Sequence, residues 1–442
     1  LTMRGLALVV WWGLSVGQAC AGANHAQASY RALEKMPEVA HAPRVSAEPL
    51  DAFLRAEEKT LEALLASHEA WAMASLENYP ARPEALAFVA NPTRNEETRR
   101  QAFLTALRVA PNSKWALYVQ PDAQDAPITS GLLAWTDISP LPASSLPQAS
   151  TRQFLPLRPG ELVSALTVVA TATDEPDYGL DAFLWEDSPG PWGRQYGLGP
   201  QPFGNPALVA DSQAPFNRGF FFEDRMLLGV APWAKRSLVL SRFYQYSSLA
   251  SLAFRTGHDY WGWRFAGLAL HYVQALTQPY HASLAPGEST TKLLGFYALA
   301  RMGLPRLRNE QIRLIGNRRV ALDLVQAEWL ESADKALQAS DKDRNYPEWN
   351  DRYVRDVVAA QSAAAGNRAQ AVLLASLPPE WVSDPQVDLQ SPERTLALLE
   401  DTLRNEPAKR ARLQALLAEW MGNFGAHSRN ALRAIVKSGN LY

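Results

Sequence analysis

From Phe220 onward the chain reads as one helix after another, and this run constrains the fold more than any other feature. Apolar residues return at steps of three and four, so each segment presents an apolar stripe along a helical surface. The periodicity predicts helices near 224–231, 234–256, 259–276, 290–303, 308–337, 350–365, 367–376, 392–404 and 406–437. Ser391-Pro392-Glu393 adds a cap followed by proline at the first helical position, where a missing N–H does no harm. Helices with single apolar stripes bury them against one another, so the expected fold class is all-α.

The first half is less regular. Residues 46–76 predict one long amphipathic helix, with Leu50, Phe53, Leu54, Leu61, Leu64, Leu65 and Trp71 on its apolar face, Ser46 as cap and Pro49 in its first turn. Thr93-x-x-Glu96 reads as a capping box that opens a second helix to about Val109. Lys114 to Gln120 suits a short strand, and residues 121–160, rich in Pro and Ser, suit a loop. Glu161 to Thr171 follows Pro159-Gly160 and fits either a helix or, from its Val and Thr content, a strand. It runs into the acidic turn DEPDYGLD (174–181). A long Gly- and Pro-dense loop spans 188–219, a length that inside a compact domain usually marks a functional or mobile segment.

Residues 1–23 read as a signal peptide. Met3-Arg4 gives the positive start and Gly5 to Gly17 the apolar run, too short to cross a bilayer; small residues follow at Ala19, Ala21 and Ala23. The expected location is periplasmic or secreted after cleavage. The alternative is a lipoprotein anchored at Cys20, the single cysteine, although Gly17 stands where an aliphatic residue belongs. With no second thiol there is no disulfide, so core packing must carry stability. Residues 24–442 then form one large helical domain, with N-terminal helices and a loop over 24–160, a central core over 161–340 and C-terminal helices over 341–442. No second apolar run is long enough for a transmembrane span, and a net charge of −2 gives no bulk field for nucleic acid.

Three of the seven histidines fall between 258 and 281. His271 lies about four turns from His258, inside a predicted helix, and His281 follows the break at Pro279. On a helix end, positions i and i+4 share a face, so His271 and residue 275 look the same way. The chain then turns, and His281 can return toward the same point. An acid at 275 would complete a set of N and O ligands suited to zinc, but that residue is Ala275. The plain alternative is a hydrogen-bonded core histidine and a loop histidine.

The segment RFAGLALHYVQALTQPYHA resembles the signature of zinc-dependent phospholipases C and the related single-strand-specific nucleases, helical enzymes with a three-zinc cluster. The match covers His271, Tyr272, Pro279 and His281. Ala275 occupies the place of the bridging Asp. By this resemblance Asp177, in EPDY, matches an upstream acid ligand. GFFFED (219–224) has the texture of an aromatic segment but no histidine, and Arg319 and Asp323 stand at a His-x3-Glu spacing. Arg319 cannot ligate a cation, because guanidinium has no acceptor. The family's early N-terminal ligands have only His25 and His41 as counterparts.

The resemblance therefore implies His271, His281, Asp177 and Asp323 as metal ligands, zinc as cofactor at reduced occupancy, and Asp177 as the catalytic group that orients or deprotonates water. The implied partner is a phospholipid or other phosphodiester, with peripheral membrane contact. The function so implied is an exported metal-dependent phosphodiester hydrolase with an eroded site, of weak or no activity. The alternative is a non-catalytic helical binding or interaction protein of the cell envelope, in which an Arg319–Asp323 pair replaces part of the cluster. The aromatics Tyr260, Trp261, Trp263 and Phe220 to Phe222 either bound an apolar cleft or, at helical spacing, belong to the core.

Overall fold

A computed structural model describes residues 24–143, 152–389 and 399–439. The signal-like residues 1–23 with Cys20, and the Ser391-Pro392-Glu393 cap, lie outside them. The fold is all-α. Among the described residues, strand is limited to β1 (Val45–Ser46), β2 (Tyr118–Val119), β3 (Leu155–Pro156) and β4 (Leu162–Val163). These form two antiparallel pairs, β1 with β4 and β2 with β3, with Val45 opposite Val163 and Tyr118 opposite Pro156.

Helix Asp259–Leu276 is the axis of the molecule. It is apolar nearly all round and buried from Tyr260 to Leu276, as expected of a helix enclosed on every side. Helix Val239–Arg255 precedes it in a hairpin, turned at Gly257 with a φ of +79°. Helix Ala165–Ala172 crosses it so closely that a Cβ on Gly267 would lie 2.3 Å from the carbonyl oxygen of Val169. The long C-terminal helix Pro407–Ser438 and the first described helix, His25–Leu33, pack together and close the remaining sides. One continuous apolar core runs from Ala28 to Val436. Tyr260, Trp261 and Trp263 are core residues, with Trp261 stacked on Phe53.

Several local expectations need correction. Residues 46–76 do not form one helix. The chain breaks at Glu57 into helices Leu50–Ala56 and Glu58–Ser75. Ser46 caps nothing, because its backbone pairs in β1, and Pro49 precedes the helix. The break sets Glu48 and Glu57 at 2.8 and 3.8 Å from the His258 ring. The cap of helix Glu96–Leu107 is Asn95, whose side chain accepts from the Thr98 N–H; Thr93 bonds back to Asn91 instead. Glu161 to Thr171 is strand and helix in turn, β4 and then Ala165–Ala172, with Ser164 accepting from the Thr167 N–H as cap.

Two predicted helices at 350–376 are one run, a wide turn at Val354–Ala359 leading into Ala360–Ser376. The predicted 308–337 helix is Arg306–Trp329 followed by two short turns. Residues 188–219 hold short helical turns and are tied to the body by Trp185 donating to Ser212 O and Tyr196 donating to Val109 O. No helix among the described residues is long and apolar enough to cross a membrane.

Candidate metal centre

The acidic turn is built from helix Ala165–Ala172 and presses its carboxylates inward, where each must find a partner. Three of its acids do so with arginine. Asp174 pairs with Arg152 at 2.6 Å and accepts the Ala26 N–H. Glu175 pairs with Arg264 at 3.0 Å. Asp181 pairs with Arg242 at 2.7 Å and accepts from the Tyr272 hydroxyl at 2.6 Å. Among the described residues, Asp177 is the one acid of this turn with no arginine ion pair. Its Oδ2 is buried without a hydrogen bond, and Oδ1 lies 3.9 Å from Nε2 of His271.

Two imidazoles face this carboxylate. His25 and His271 have ring centres 4.6 Å apart. One ligand atom each from His25, Asp177 and His271 lies within 4.8 Å of the others. The outer nitrogens are committed. Nδ1 of His271 donates to the Thr173 carbonyl at 2.9 Å. Nδ1 of His25 donates to Gln274 Oε1 at 2.8 Å, while the Gln274 amide donates to Ser29 and Ser428 hydroxyls. A proton fixed on Nδ1 leaves the lone pair on Nε2, which is how buried metal-ligating histidines are oriented by the groups behind them.

The electrostatics agree with the geometry. Burial, then the neighbouring His271, lowers the His25 pKa; burial lowers that of His271. Both rings are therefore neutral, the ligating form. Burial raises the Asp177 pKa to about 7. A buried carboxylate with an unsatisfied oxygen beside two free imidazole lone pairs is a donor set that could hold a cation.

Of the four ligands expected from sequence, Asp177 and His271 stand in this group. His281 and Asp323 are placed toward a neighbouring pair of arginines. His281 donates from Nδ1 to the Ala275 carbonyl at 3.0 Å, so the residue that lacks the acid orients the second histidine through its backbone. Burial, then Arg218 and Arg319, holds the His281 pKa well below its usual value. Asp323 accepts from Gln278 at 3.3 Å and faces Arg319 at 3.5 Å; burial raises its pKa to about 6. Two other acids in this part of the chain, Glu288 and Asp259, do not take the place left by Ala275. Glu288 is engaged by Lys292 and Arg318, and Asp259 begins the helix that carries His271 near its other end.

The residue that sequence left open is His25. Its early position was its only signal, because its partners Gln274 and Asp177 are joined to it by folding alone. His41 is exposed. The residues present fit one metal ion through two imidazoles and one carboxylate. They do not fit three ions: Ala275 offers no bridging carboxylate, Phe220 to Phe222 no imidazole, and Arg319 no lone pair. No family model, curated protein or solved structure matches the chain.

Proposed function

We propose that this chain is an exported helical phosphodiester hydrolase of the zinc phospholipase C and nuclease type, reduced to a single metal centre at His25, Asp177 and His271. The observation that carries the reading is the paired hydrogen bonding of two buried histidines: each is held on Nδ1 by an acceptor, which leaves Nε2 free, and both rings stand in one group with a buried carboxylate. A zinc ion bound there supplies a Lewis acid and a water of near-neutral pKa. The chain supplies the rest. His25 and His271 stay neutral through burial, and the bonds to Gln274 and Thr173 hold their planes. Asp177 Oδ2 is the acceptor that orients the attacking water.

A second reading has a specific observation in its favour. The centre is enclosed: His25, Asp177 and His271 are only 6%, 5% and 2% exposed. Enclosure admits an ion more readily than a phosphodiester, which suits a non-catalytic binding protein of the cell envelope with a structural metal. One experiment separates them. The purified chain is stripped of metal, reloaded with zinc, and assayed for bound metal and for hydrolysis of bis(p-nitrophenyl) phosphate. One zinc per chain with turnover lost in His271→Ala supports the hydrolase; one zinc without turnover supports the binding protein; no bound zinc refutes both.

A further inference from the structure

Beside the centre lies a cleft that the metal reading does not use. Its volume is about 80 Å³, and its polar wall carries Arg218, Arg319 and Asp211 while Phe203, Phe220 and Trp233 line the apolar one. On the scale where one water needs about 10–15 Å³, it has room for several waters, enough for a small oxyanion and a ring. An adjoining lobe of about 70 Å³, sharing Trp233, Leu284, Ile312 and Ile315, extends the apolar side.

The polar wall is built and unsatisfied. Nε of Arg218 is buried without a hydrogen bond, and its guanidinium forms no ion pair among the described residues. Asp211, 1% exposed, has an equally buried and unpartnered Oδ2. These two opposite charges influence each other but do not meet in an ion pair, which leaves space between them for a third group. Arg319 turns toward Asp323 only at 3.5 Å. Two guanidiniums share one small space, and burial together with Arg319 lowers the Arg218 pKa to about 10. An occupant that satisfies this wall accepts from both arginines and donates a hydrogen to Asp211.

We propose that this cleft binds a small organic phosphate monoester bearing an aromatic or short apolar substituent, through guanidinium contacts and without a metal. A phosphate monoester near pH 6 carries both anionic oxygens and a hydroxyl, because its second pKa is about 6. A planar guanidinium matches two phosphate oxygens at once. A carboxylate offers the acceptors but no donor for Asp211, and an alcohol offers no charge. The aromatic walls take the substituent. This site does not depend on the reading of the metal centre.

The test is calorimetric titration of the metal-free full chain at pH 6 in chelator, with phenyl phosphate, inorganic phosphate, phenylacetate and benzyl alcohol. Saturable binding of phenyl phosphate is expected, at least tenfold tighter than each of the others. Arg218→Gln and Arg319→Gln should each weaken it tenfold or more, Phe220→Ala should weaken phenyl phosphate but not inorganic phosphate, and His271→Ala should leave it unchanged. Should the arginine variants fail to fold, protection of Arg218 and Arg319 from phenylglyoxal by phenyl phosphate, read by peptide mass in the wild-type chain, decides the matter. Absence of saturable binding at millimolar phenyl phosphate, equal binding of benzyl alcohol, or no protection overturns the proposal.

Discussion

Replacing Asp177 by asparagine should stabilise the metal-free protein at alkaline pH. The Asp177 carboxyl rises from 3.8 to about 7 because burial penalises its charge more than the surrounding cations favour it. At about 1.4 kcal/mol per pKa unit, holding it ionised in the fold costs on the order of 4 kcal/mol. The penalty is absent below pH 3.8, grows as pH rises toward 7, and is complete above that. Asparagine keeps the shape without the charge. The expected result is a melting temperature higher by roughly 4–8 °C for Asp177→Asn at pH 8, since a chain of this length moves less per kcal/mol than a domain of about 200 residues. At pH 4 the two proteins should melt together. Zinc at pH 8 should raise the wild type toward the variant and leave the variant unmoved. The assay is scanning calorimetry on stripped protein across pH 4–8. A variant less stable than wild type at pH 8, or an equal difference at both ends, would refute the reasoning that Asp177 is an uncompensated buried charge.

Other consequences are independent. Ala275→Asp adds a carboxylate at a position only 4% exposed, so the metal-free fold should lose about 3 kcal/mol in denaturant titration, with zinc restoring most of it; no restoration would separate Ala275 from the centre. Glu175→Gln leaves Arg264 buried beside a neutral partner and should cost about 3–5 kcal/mol by the same titration. Gly267→Ala drives a methyl into the Val169 carbonyl at 2.3 Å and should lower the melting temperature through a loss of about 1–3 kcal/mol or more. Zinc affinity measured by competing chelator should fall about tenfold per pH unit below pH 7, as Asp177 takes up its proton, and reach a plateau above it.

The helical half of the fold was legible because its period is local. Asp259–Leu276 and Pro407–Ser438 appear within a residue or two of where apolar spacing puts them. The break at Glu57 was not legible, because the apolar stripe continues across it, and what it accommodates, the His258 ring against Glu48 and Glu57, comes from 200 residues away. The site shows the same division. His271, Asp177 and the gap at Ala275 could be read from a motif; His25 could not, since nothing next to it in the chain differs from an ordinary helix start. The acidic turn looked uniform in sequence. Only the three arginines assigned to Asp174, Glu175 and Asp181 single out Asp177.

Gln274 ties His25 to Ser428 through a single amide, with Ser29 as a third anchor. In the growing chain His25 is therefore made some four hundred residues before its keeper's last anchor. Until the C-terminal helix has been made and docked, the first imidazole lacks a fully held partner. On the reading proposed above, a firm grip on an ion waits for the docked C-terminal helix, and a chain truncated before Ser428 should hold a metal poorly even where its three ligands are intact.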